Sequence, residues 1–191
     1  MRFQIHLLRT FSAIAMIVAC SCGEAAAQKL DTVGVVKARA IVTGGGEGSF
    51  HSDIDGDGDI DGSYFGVAVH ELGNGKNSSI DGHFVCAMWG KTDVLGLPLM
   101  AVEGKVTRAV IESKDVVTLR GIGTVDLGSG PSGFFENVSF EVRVTGGGVG
   151  LGSIKLTVFG AFDGVPGDTI PGNGNYDLPP ELVVSGHILV H

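Results

Sequence analysis

Residues 135–144 read FENVSFEVRV, and side chains of two kinds alternate along them. Phe135, Asn137, Ser139, Glu141 and Arg143 point one way; Glu136, Val138, Phe140, Val142 and Val144 point the other. Successive strand residues face opposite sides of a sheet. One wet face and one buried face are what an antiparallel sheet needs. Similar runs recur along the chain, separated by Gly, Asn and Asp, and no stretch sustains an apolar i, i+3, i+4, i+7 pattern. Strands are expected at 33–43, 64–72, 80–89, 98–111, 115–127, 134–145, 153–162 and 181–190. That spacing predicts an all-β fold of about eight antiparallel strands, read as a β-sandwich with a closed β-barrel as the alternative. Asn74-Gly75 supplies a tight hairpin turn. GSGPSG at 128–133 and GGGVGLG at 146–152 are flexible turns, and PGNGNYDLPP at 171–180 is irregular and no central strand. Gly66, Gly121 and Gly160 inside strands suggest bulges or bends.

The N-terminal residues read as an export signal. MRFQIHLLR carries Arg2 and Arg9, TFSAIAMIVA is apolar, and AAAQ offers cleavage after Ala27. The apolar run is half the length that a membrane-spanning helix needs. A second reading takes IVAC at Ile17–Cys20 as a lipobox, with a lipid anchor on Cys20. Residues 1–27 are therefore assigned to the signal and 28–191 to a single all-β domain. The protein is expected to be secreted, periplasmic or at the cell surface, or else a membrane-anchored lipoprotein, with no later transmembrane segment.

The 191 residues carry a formal charge of −8. That balance argues against nucleic acid and anionic membrane surfaces as partners. Of three cysteines, Cys20 and Cys22 fall in the export segment, so Cys86 is read as a small buried hydrophobe.

Acid is concentrated at 53–62, DIDGDGDIDG. Five carboxylates at alternate positions repel one another unless a cation neutralises them. Ca²⁺ takes six to eight oxygens, and a Gly lets a short loop turn sharply around it. Asp53, Asp55, Asp57, Asp59 and Asp61 are the candidate metal ligands. The bare alternative is an Asp/Gly turn without metal. The loop resembles those of EF-hands, dockerins and thrombospondin type-3 repeats, with Gly58 at the turn and Ile60 at the aliphatic position. That resemblance implies side-chain ligation by Asp53, Asp55 and Asp57, carbonyl ligation by Asp59, and Asp61 binding directly or through water. Tyr64 stands where those loops carry a bidentate acid, so a ligand from Glu47, Glu71 or Asp81, or water, must replace it. The loss weakens expected affinity to a Kd of about 10⁻⁴–10⁻³ M.

Other constellations are weaker. His70-Glu71 lacks the second His of a zinc protease helix, and the pair faces opposite sides of a strand. His83 and His187 are isolated. Asp163 and Asp168 in FDGVPGDT suggest either a second ion site or a plain turn. No nucleophile elbow, phosphate loop or paired-carboxylate motif is present, so the non-enzymatic reading leads.

VTGGGEGSF, IDGHFVCAMWG, FDGVPGDT and SGHILVH together resemble a family of small, uncharacterised secreted bacterial proteins. The resemblance implies an extracellular all-β domain and no particular activity. The expectation is a secreted or envelope β domain with a structural Ca²⁺ and an adhesion, matrix or ligand-binding role. The alternative is a small carbohydrate-binding module or hydrolase of the envelope, with calcium in support.

Overall fold

Among the described residues nine strands form, eight of them where the alternating runs lie: β1 Ala38–Ser49, β2 Gly62–Leu72, β3 Ser79–Trp89, β4 Ala101–Ser113, β5 Val116–Asp126, β6 Phe134–Thr145, β7 Ser153–Phe159, β8 Asn175–Asp177 and β9 Glu181–Val190. The structure is a computed structural model that describes residues 37–73, 77–89, 100–128 and 133–191. The export segment, Cys20 and the Asn74-Gly75 turn lie outside the described residues.

Each strand from β1 to β6 pairs antiparallel with the next, and β9 then joins β1 to β7. Pairing of β6 with β7 completes a ring of eight strands, with β8 an extra strand beside β7. The all-β antiparallel expectation is met. The strands form one hydrogen-bonded sheet with eight of them in a ring, whereas the sequence reading leaves sandwich and barrel both open. Local alternation cannot distinguish these arrangements, because both bury one side of every strand. Closure is narrowest between β7 and β9, where only Ser153↔Leu182 and Ile154↔Glu181 pair.

Burial follows the predicted faces over most of β6: Phe140, Val142 and Val144 are buried, while Ser139 and Arg143 are exposed. The alternation breaks at Glu136, which is exposed. There the register shifts between Gly123 and Val125, and Asn137 takes φ 58°. A bulge inserts a residue and turns the strand's start over. The ring of Phe140 meets that of Phe84 inside, with centroids 5.8 Å apart.

Two boundaries differ from the sequence reading. β1 continues through its glycines to Ser49, because β2 and β9 hydrogen-bond it on both sides. Short β8 arises within the segment read as irregular, and it lies beside β7 without a further strand on its outer side. Tyr176 and Leu178 of that segment are fully buried, which holds 160–180 against the core. Among the described residues, no helix is long and apolar enough to cross a membrane.

Candidate metal centre

The Asp-rich loop joins the end of β1 to the start of β2. Its two ends are tied by the Phe50 amide, which donates to the Asp61 carbonyl at 3.0 Å. Between them the backbone folds around its own carboxylates. Gly56 N–H donates to Asp53 Oδ1 at 2.7 Å and Gly58 N–H to Asp53 Oδ2 at 3.0 Å. The amides of Asp57 and Asp59 donate to Asp55 Oδ1 at 3.3 Å and Asp57 Oδ1 at 3.1 Å. Gly56 and Gly58 adopt φ of 82° and 103°, a region closed to most side chains. The Gly56 amide above all, then that of Gly58, holds the Asp53 carboxyl below the usual range. Hydrogen bonds to the charged form favour ionisation.

This folding brings one carboxylate oxygen from each of Asp53, Asp55 and Asp57 within 4.8 Å of one another. Asp59 and Asp61 are not in that group. Asp61 is fully buried at the base of the loop. Tyr64, at the position of the missing acid, is 55% exposed on β2. Ile60 is 48% exposed, and Ile54, packed against the core, anchors the loop in its place.

Two of the three suggested distant ligands are corrected. Glu71 is nine residues along β2 from Gly62, roughly 30 Å at the rise of an extended chain. Asp81 lies opposite His70 near that same far end and pairs with Lys105 at 3.3 Å. Glu47 is nearer, across from Tyr64.

The neighbour that sequence reading did not connect with this loop is the 163–177 segment. A Cβ placed on Gly167 would sit 3.2 Å from Ile54 and 2.8 Å from the Tyr176 hydroxyl. That hydroxyl donates to the Pro166 carbonyl at 2.9 Å. Burial pushes the phenol pKa up, and the charges of Asp168, Asp55 and Asp61 add to it. The two acidic loops therefore share one region of the molecule. Within the second, Asp163 accepts the amides of Gly172 and Gly174 at 2.6 and 3.0 Å. Asp168 accepts those of Gly164, Ile170 and Asp177. These acids close turns, the plainer of their two readings. The only sequence signal for the adjacency was the apolar Tyr176 inside a Gly/Pro-rich stretch.

A second polar group lies in the core. Glu181, only 2% exposed, accepts the Ser63 hydroxyl at 2.6 Å. Gly48 makes the space: a Cβ there would sit 2.5 Å from the Glu181 carboxylate. Burial pushes the Glu181 carboxyl up to about 7. Cys86 is free and buried, and burial, followed by the Glu181 charge, pushes its thiol up. A thiol so held is a poor nucleophile. His83 pairs with Glu103 at 3.0 Å, with both side chains more than half exposed.

Comparison with family models, curated proteins and solved structures finds no match for this chain.

Proposed function

We propose that the chain is an exported β domain whose 53–61 loop binds one Ca²⁺, and that the ion's role is structural. The observation that carries this is the convergence of Asp53, Asp55 and Asp57 within 4.8 Å on a loop already folded by its own amides. Preformed oxygens lower the ordering cost of binding. Asp59 and Asp61 complete the proposed set, one through its carbonyl and the other directly or through water. The lowered carboxyl pKa of Asp53 keeps that ligand charged in mildly acidic surroundings. The biological role that fits best is adhesion, matrix attachment or ligand binding at or outside the cell surface, without catalysis. Export follows from residues 1–27, with a lipid anchor on Cys20 as the other form of that proposal.

The alternative, an envelope carbohydrate-binding module, draws support from one observation. Phe134 and Phe135 are 44% and 37% exposed, and Phe135 meets Phe162 edge-on at 5.2 Å. Exposed rings of this kind are platforms for apolar faces of a ligand. The hydrolase form draws none from His83, which with Glu103 lies on an open surface.

Calorimetric titration of chelator-treated protein with Ca²⁺ tests the metal. Saturation near one equivalent is expected, with a Kd of about 10⁻⁴–10⁻³ M. At ten to a hundred times Kd the ion adds about 1.4–2.7 kcal/mol of stability, and Mg²⁺ adds less. Asp57→Ala is expected to weaken binding at least tenfold and to remove the Ca²⁺-dependent rise in Tm. Equal affinity and equal Tm for the variant would end the proposal.

A further inference from the structure

We propose that the outer face of β4 and β5 binds a small oxyanion, the carboxylate or phosphate group of an organic molecule, between Arg108 and Arg120. The site is separate from the acidic loop and does not depend on calcium there.

Arg108 and Arg120 are directly opposed in the β4–β5 register, just past the shift between Val106 and Arg108. Like charges directly opposite are unfavourable in a sheet, so an arrangement that keeps both calls for a counter-charge. Both nearby carboxylates are already paired, Glu141 with Arg120 itself, so the charge left to answer is that of Arg108. Glu141 accepts Arg120 Nε at 2.6 Å. Glu112 accepts the Thr118 hydroxyl, together with Arg143 Nε at 3.1 Å and Nη2 at 3.0 Å. Among the described residues, Arg108 has no ion-pair partner.

These groups border a cavity of about 260 Å³, lined by Arg108, Val110, Glu112, Thr118, Arg120 and Glu141. A guanidinium presents five donors in a fixed fork, so Arg108 and the Nη groups of Arg120 can hold one oxyanion from two sides. Val110 supplies an apolar wall for the rest of the ligand. Glu112 and Glu141 limit the charge accepted: an extended polyanion would meet both carboxylates and a chain of charge −8. The ligand class is therefore a small monoanion or dianion, such as a sugar acid or a phosphate monoester. Arg120 is about half exposed, and solvent screening sets the expected Kd on the order of 1–10 mM.

The test is amide NMR of the full chain, titrated with inorganic phosphate and separately with acetate, at ionic strength held constant with sodium chloride. Saturable shifts centred on residues 108–120 are expected. Arg108→Gln should weaken them at least tenfold while raising Tm or leaving it unchanged, because an opposed charge is removed. Arg108→Lys, which keeps the charge but loses the fork, should fall between. Saturation by phosphate alone assigns a phosphate ester, and saturation by acetate assigns a carboxylate. Shifts that follow ionic strength only, or that are the same in Arg108→Gln, would overturn the site.

Discussion

Replacing Gly121 with alanine is expected to lower Tm by roughly 5–10 °C, corresponding to about 2–3 kcal/mol. Gly121 faces inward on β5, opposite Val106 and Phe140. A Cβ there would sit 2.3 Å from the Lys105 carbonyl oxygen and 2.5 Å from Cζ of Phe140. Gly104 on β4 is equally close to that ring, at 2.6 Å. The two glycines form the floor on which Phe140 lies. The cost has a backbone part and a ring part, and a double-mutant cycle separates them. Phe140→Leu alone leaves a void and destabilises. In the Gly121→Ala background it should cost less than it does alone, since it also relieves the ring clash. The Lys105 part should remain. Strict additivity in chemical denaturation would show that the ring does not lie against Gly121.

Glu181→Gln is the substitution expected to stabilise, and its effect should depend on pH. Burial raises the Glu181 carboxyl to about 7 from its ordinary value of 4.5. Between those values the folded chain keeps a proton that the unfolded chain releases. Stability from this group is therefore fully present below about 4.5, falls as pH rises and is lost above about 7. The whole span is worth on the order of 3 kcal/mol. Glutamine keeps the shape and can still accept the Ser63 hydroxyl, but it carries no charge at any pH. The variant should match the native chain near pH 4.5 and exceed it by a few kcal/mol at pH 8. Urea midpoints at both values provide the measurement, and parallel pH profiles would refute the assignment. The difference between the two chains is the useful quantity, because Asp53, Asp168 and Glu112 have lowered carboxyls whose trends run the opposite way.

The sequence reading of the glycines shows where local reasoning stops. Gly121 was read as a bulge or bend, and a register shift does lie beside it, between Val106 and Arg108. Its nearest side-chain neighbour, however, is an aromatic ring from β6, which no pattern within β5 contains. Gly48 stands in the same relation to Glu181, a residue more than a hundred positions away. The acidic loop was legible for the opposite reason. Its carboxylates, its turn glycines and the amides that bind them all fall within 53–59, so spacing alone brought Asp53, Asp55 and Asp57 together. Asp59 and Asp61 carried the same spacing but lie outside that group, Asp61 buried at the base of the loop just before β2.

By itself the sequence determined eight of the strands, though not β8, and the acidic loop. Both depend on neighbours a few residues apart: a period of two for a half-buried strand, and Asp-Gly alternation for a loop that folds on its own amides. Tertiary structure decided the rest. Closure of eight strands into a ring, the buried Glu181 beside Ser63, the opposition of Arg108 and Arg120, and the contact of the two acidic loops all depend on which strand edges pair and in what register. Register is set by long-range hydrogen bonds and by the packing of rings against glycine, and neither leaves a periodic trace in the chain.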